Sequence, residues 1–330
     1  MSQSAPRAAA FAGFIDLAAE KIGGQALSAS DEFFAGKENL LKEGRGIFIA
    51  DKFTERGKWM DGWETRRKRV PGHDWCIIKL GLAGVIHGVD IDTNHFLGNN
   101  PAFASIEAAT SEDGPWTEIL PRSPLNPGAQ NLFAIGNRAI WSHLRLNIYP
   151  DGGVARFRVY GAVEKDWSAA SDHEVFDLAA LANGGKAVAC SDMFFSSMDN
   201  LIMPHRAANM GDGWETKRRR GPGYDWVIIK LGHTGLLRQI EVDTNHFKGN
   251  YPDTCSIEGC FAPDAHIDLL TWDRHDWTEL LPRVKLQASH QHFFEKEIAQ
   301  AGPYSHIKLN IYPDGGISRL RALGTLWRGG

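Results

Sequence analysis

Two five-residue stretches of this chain read D-T-N-H-F, at 92–96 and again at 243–247. Asp92 with His95, and Asp243 with His246, pair a carboxylate with an imidazole, groups that serve as base and acid or that ligate a metal. Asn94 and Asn245 add an amide that both donates and accepts hydrogen bonds. Upstream of each stretch lies a cationic block, Arg66-Arg67-Lys68-Arg69 and Lys217-Arg218-Arg219-Arg220. Alternate side chains of an extended segment share a face, so Arg67 with Arg69, and Arg218 with Arg220, point one way and their neighbours the other. Those two positions of the repeat are Arg in both blocks, whereas Lys and Arg exchange at the other two. A guanidinium fork holds a carboxylate with two parallel hydrogen bonds and an ammonium does not, which makes these four the candidate anion-binding groups.

Each feature has a plainer reading. The basic blocks fit a solvated rim with Glu64 and Glu215 as ion partners. D-T-N-H-F fits a loop corner, because Asp and Asn side chains bond nearby backbone groups and Phe96 would anchor the loop in a core.

The elements that must position these residues form a repeat. Residues 61–101 align without a gap on 212–252 at an offset of 151, with 25 of 41 positions identical. Upstream, S-D-E-F-F at 30–34 matches S-D-M-F-F at 191–195, and downstream H-L-R-L-N-I-Y-P-D-G-G at 143–153 matches H-I-K-L-N-I-Y-P-D-G-G at 306–316. The second copy carries about ten extra residues near 261–275, which read as a loop insertion. Two units of about 150 residues result, 1–165 and 175–330, joined by a polar, Ala-rich stretch. Within each, W-C-I-I-K-L and V-I-H-G-V-D-I-D read as short strands, and L-R-L-N-I-Y-P-D-G-G-V-A-R-F-R-V-Y reads as a hairpin. Short helices are expected near 11–22 and 174–182. Many short strands with 35 Gly and 15 Pro predict an all-β fold of two tandem antiparallel jelly-roll β-sandwiches.

The D-G-W-E-T-[RK]-R-[RK]-R block, the D-W-[CV]-I-I-K-L-G strand, the D-T-N-H-F stretch and the N-I-Y-P-D-G-G segment, all in tandem, resemble the allantoicase family. The resemblance implies two galactose-binding-like domains, a homo-oligomer and hydrolysis of allantoate to ureidoglycolate and urea in purine breakdown, a reaction on a C–N bond of a linear amidine. Allantoate carries a carboxylate and a carbon bearing two ureido groups. Its hydrolysis needs a cation for the carboxylate, a proton for the departing urea nitrogen, and a positioned water. Arg67, Arg69, Arg218 and Arg220 suit the first task, Asp92, His95, Asp243 and His246 the proton transfers, and Asn94 with Asn245 a ureido carbonyl. A divalent metal remains open as the means of activating water, and no organic cofactor is expected.

Other readings are set aside by composition and motif. A net charge of −4 gives no general case for nucleic acid. No apolar run approaches membrane-spanning length. The N-terminal apolar patch is interrupted by Asp16 and lacks a signal-peptide core, and the four cysteines read as reduced thiols of a cytoplasmic protein. Phosphate-loop, dinucleotide and nucleophile-elbow signatures are missing. Glu107 and Glu258 read as exposed strand carboxylates, His143 and His306 as structural, and Trp63, Trp75, Trp214 and Trp226 as packing. The competing function is a non-catalytic pair of carbohydrate- or ligand-binding modules, since fold does not fix function.

Overall fold

The computed structural model describes residue 11 and residues 13–329. The patch at 1–10 and 12, which bears on the signal-peptide reading, lies outside the described residues. The chain divides into two compact units, 1–164 and 165–330. Among the described residues no helix is long and apolar enough to cross a membrane.

In the first unit the strand pairings of the described residues are all antiparallel and the sheet is built on one long strand, Asp74–Asp92. Its first part pairs with Gln25–Ala29 and Ile140–Tyr149, and Phe103–Ala109 and Thr117–Pro124 follow outward. Its second part pairs with Arg156–Val163 and Gln130–Ala134, and Ile15–Asp16 follows outward. Cys76, Ile78, Ile106 and Leu146 from the first set pack in one core with Val89, Ile91, Phe157 and Val159 from the second, all 0% exposed. That common core makes the unit a two-layer sandwich. The second unit repeats the strand order on Asp225–Asp243, so the all-β tandem fold read from the sequence is the observed one.

Three local expectations change. The two short strands W-C-I-I-K-L and V-I-H-G-V-D-I-D are one 19-residue strand. It passes from layer to layer at L-G-L-A-G, where a Cβ on Gly81 would lie 2.5 Å from the Ile22 carbonyl oxygen. The expected hairpin is absent as well. Ile140–Tyr149 pairs with Phe103–Ala109 and the long strand, whereas Arg156–Val163 pairs with the long strand and Ile15–Asp16. The P-D-G-G turn therefore carries the chain between layers, and Gly153–Val154 pairs with Trp63–Glu64 instead. Finally, the described part of 11–22 holds a two-residue strand and a single 3₁₀ turn, Glu20–Ile22, and 174–182 holds the strand Phe176–Asp177 before a 3₁₀ turn, Leu181–Asn183. The cause is visible at Asp16 and Asp177, whose carboxylates accept from the backbone N–H two residues on, at 3.1 and 3.2 Å. Such a local bond competes with helix formation.

The insertion near 261–275 is more than an exposed loop. Its Trp272 ring lies 4.6 Å from that of Trp226, and Ile267 joins Cys260 and Ile228 in a small apolar cluster.

Candidate active site

D-T-N-H-F follows directly from the end of the long strand and is a tight turn in both units. Thr93 is fully buried, and its hydroxyl donates to the Asn126 carbonyl at 2.6 Å. The Phe96 N–H donates to the Thr93 carbonyl at 2.9 Å, which closes the turn around His95. His95 and His246 accordingly sit at φ 67° and 69°, a left-handed conformation costing a non-glycine residue about 1–2 kcal/mol. Phe96 and Phe247 are 0% exposed. A Cβ on Gly153 would lie 2.0 Å from the Phe96 ring, so the second Gly of P-D-G-G is required by the turn's own anchor.

The carboxylates sit deeper than proton transfer to a substrate requires. Asp92 is 2% exposed; it accepts from Arg45 Nε and Nη2, each at 2.9 Å, and from the Asn94 N–H at 2.9 Å. Asp243 is 0% exposed and accepts from Arg206 Nε at 3.0 Å and the Asn245 N–H at 2.9 Å. In place of the expected base, the geometry at Asp92 and Asp243 is that of a group holding a turn and its arginine. The amides are also engaged: Asn94 Nδ2 donates to the Gly46 carbonyl at 2.8 Å and Asn245 Nδ2 to that of Ala207 at 3.3 Å, which leaves each Oδ1 as the group able to meet a ligand. His246 Nε2 donates to the Ala207 carbonyl at 2.8 Å, while His95 opens onto a cavity of about 360 Å³ shared with Glu64 and Asn99.

The cationic blocks separate by face as alternation requires. Arg66 is bonded to Asp31 at 2.6 Å and Lys68 to Asp74 at 2.8 Å. Lys217 pairs with Asp192 at 3.3 Å, and Arg219 donates to Asp225. Arg67, Arg69, Arg218 and Arg220 are exposed, and among the described residues none of them has an ion pair, hydrogen bond or ring contact. Arg218 lines two cavities, one of about 320 Å³ with Arg220 and Asp192, the other of about 470 Å³ with Glu215 and Asn250.

Glu64 and Glu215 are not ion partners of these cations. Glu64 Oε1 accepts from Asn99 Nδ2 at 2.7 Å and Glu215 Oε1 from Asn250 Nδ2 at 2.6 Å. Burial raises the Glu64 carboxyl above its usual range, and the Asn99 hydrogen bond offsets only part of that.

A second duplicated polar set occupies the outer sheet face. Glu107, read from the sequence as an exposed carboxylate, accepts from Arg145 Nη2 at 2.6 Å and Asn147 Nδ2 at 2.9 Å. Glu258 accepts from Lys308 at 2.6 Å and Asn310 at 2.8 Å. His306 is 1% exposed and burial pushes its pKa down to about 4, so it stays neutral. The cysteines are free, and burial raises Cys190 to about 11 and Cys255 to about 12, which disfavours the nucleophilic thiolate. Among the described residues no group of three or more His, Cys, Asp or Glu side chains is gathered in a metal-holding arrangement.

Sequence reasoning passed over Arg45, Arg206, Asn99 and Asn250, and it gave Glu64 and Glu215 to the basic blocks in place of these amides. The signal was present, because the 161-residue offset that aligns S-D-E-F-F with S-D-M-F-F also aligns Arg45 with Arg206.

Comparison with known proteins agrees with this duplicated arrangement. The family model "Allantoicase repeat" matches twice, over residues 15–164 and 176–327. A "Probable allantoicase 1" of Burkholderia mallei is 50% identical over 319 residues, covering 95% of each chain. A "Probable allantoicase" of Pseudomonas paraeruginosa is 49% identical over 322 residues, 96% of this chain and 97% of that one. The crystal structure of allantoicase from Saccharomyces cerevisiae superposes with a TM-score of 0.77 at 40% identity, covering 94% of this chain and 92% of that one. With both repeats matched and half of all residues shared along nearly the full length, the chain belongs to the allantoicase family.

Proposed function

We propose that the chain hydrolyses allantoate to ureidoglycolate and urea on the surface formed by its unpaired arginines, with Arg67 and Arg69 holding the substrate carboxylate in the first unit and Arg218 and Arg220 in the second. The activity is that of an allantoate amidinohydrolase, as family membership establishes. The observation that supports the assignment of residues is the contrast within each basic block: two cations bound to aspartates alternate with two exposed guanidinium groups that have no partner among the described residues. An unpaired Arg can grip a carboxylate with two charge-assisted bonds without first breaking an ion pair.

In this reading the D-T-N-H-F turn supplies positioned polar groups. Asp92 and Asp243 fix the turn through Arg45 and Arg206, Asn94 and Asn245 offer Oδ1 to a ureido N–H, and His95 and His246 present an imidazole that orients the incoming water. We carry with it a homo-oligomeric assembly and a cytoplasmic location. The free thiols suit a reducing compartment, and the exposed aromatic pairs Phe33–Phe34 and Phe194–Phe195 offer apolar surface for self-association.

Urea release from allantoate by Arg67→Ala/Arg69→Ala and by Arg218→Ala/Arg220→Ala tests the assignment. Losing a charge-assisted carboxylate contact is worth roughly 1.5–3 kcal/mol, so KM of the affected unit rises about 10- to 100-fold, and the Arg→Lys pairs recover part of it. Equal residual rates near half mean that each unit works independently, and loss from only one pair identifies a single working unit. KM unchanged in every variant overturns the assignment.

A further inference from the structure

The same four positions line a cavity in each unit. Phe34, Glu64, Gly98 and Asn99 border that of the first, and Phe195, Glu215, Gly249 and Asn250 that of the second. In each case a half-buried carboxylate accepts one hydrogen bond from a carboxamide and, among the described residues, has no ion-pair partner. This sets the two apart from Asp61, Asp74, Asp92 and Glu107, which are all ion-paired to Arg or Lys. A carboxyl without an ion pair, in a recess lined by an amide and an aromatic side chain, matches what a planar ureido group needs for recognition and protonation.

We propose that Glu64 and Glu215 are the catalytic carboxyls of their units, each giving its proton to the urea nitrogen that leaves allantoate and recovering one from the incoming water. The proposal rests on allantoate lying on the arginine surface described above. In the step, the electron pair of the C–N bond departs with the urea nitrogen, which takes the carboxyl proton. A lone pair of the water oxygen forms the new C–O bond, and the proton that water sheds returns to the carboxylate. Water and allantoate become ureidoglycolate and urea, and the enzyme ends as it began.

The cavities also fix the electrostatics. Arg56, Lys58 and His95 line the first together with Glu64, and Arg218, Arg219, Asp253 and Asp314 share the second with Glu215. Burial holds Glu64 in its protonated form to higher pH than an exposed carboxylate, as a general acid requires. Asn99 and Asn250 fix the rotamer through Oε1, leaving Oε2 for the substrate.

The test compares Glu64→Gln, Glu215→Gln and their combination with wild-type protein, following urea release, KM and thermal unfolding together. The double variant should lose about 10²- to 10⁴-fold in kcat, the usual worth of general acid catalysis, with KM within threefold and its unfolding temperature retained. A fall in kcat of less than threefold in a folded double variant overturns the proposal. Should the Gln variants not fold, Asn99→Asp with Asn250→Asp decides. The added negative charge raises the neighbouring carboxyl's pKa, so the alkaline limb of the kcat profile must move to higher pH, and an unmoved limb overturns the proposal. Because the arginine variants read out in KM and the glutamate variants in kcat, failure of the surface and failure of the acid are told apart.

Discussion

Replacing Asp90 with Asn should make the first unit more stable at pH 8 than at pH 4.5, relative to wild type. Asp90 is 1% exposed. Its Oδ2 accepts from Gln130 Nε2 at 2.7 Å, its Oδ1 has no partner among the described residues, and burial raises its pKa from 3.8 to about 6, with Asp92 adding to the rise. A carboxyl whose folded pKa exceeds its unfolded one binds its proton more tightly when folded. It therefore favours folding at low pH, and that contribution is lost between about 3.8 and about 6 as pH rises. At ~1.4 kcal/mol per pH unit the full loss is about 3 kcal/mol, of which about 2 kcal/mol falls above pH 4.5. Asn does not titrate, so the variant escapes this loss while every pH-independent cost of the substitution cancels between the two conditions. For a unit of this size ~2 kcal/mol corresponds to roughly 4–8 °C. Calorimetric unfolding of wild type and Asp90→Asn at both pH values reads it directly. A difference in unfolding temperature that is the same at pH 4.5 and pH 8 refutes the reasoning, and a difference of opposite sign would mean that the buried carboxylate is stabilised as an anion.

Other perturbations have equally definite outcomes. Phe96→Ala or Phe247→Ala removes a ring that is 0% exposed and should cost about 3–5 kcal/mol, seen as a lower midpoint in denaturant unfolding. Arg45→Ala strips the partner from the 2%-exposed Asp92 carboxylate and should cost on the order of 2 kcal/mol. Arg45→Lys restores only part of that, because it cannot reproduce both bonds. His95→Gly relieves the left-handed backbone at φ 67° and should raise the unfolding temperature by an amount equivalent to about 1 kcal/mol. If the imidazole takes part in the reaction, activity falls although stability rises. Unchanged activity assigns His95 to the turn alone.

The duplicated sandwich was legible because its signals are local or repeated: alternating strands, Gly/Pro turns and a gapless 41-residue match. Bonds that depend on partners distant in sequence were not. Asp92 and Arg45 are 47 residues apart, and Asp61 with Arg156 are 95 apart. Composition gave the D-T-N-H-F carboxylates the character of chemistry, yet their surroundings fold them into a corner. The basic blocks read more truly, since alternation in an extended segment is a geometric property that needs no tertiary partner: Arg66 and Lys68 turn to Asp31 and Asp74 while Arg67 and Arg69 face outward. The P-D-G-G segment misled for the opposite reason. Its turn chemistry suits a hairpin, but Gly153–Val154 pairs with Trp63–Glu64 and sends the two flanking strands to different layers. In sequence Glu64 reads as an ion partner of the neighbouring basic block and Asn99 as an ordinary loop residue, because only the fold brings the two to 2.7 Å.

A crystal structure with an unreactive analogue of allantoate decides where the substrate lies. The analogue's carboxylate is expected on Arg67 or Arg69, or on Arg218 or Arg220, with a ureido nitrogen within hydrogen-bonding reach of Glu64 or Glu215. An analogue seated instead on the outer sheet face, against Glu107 and Arg145 or Glu258 and Lys308, would contradict that placement.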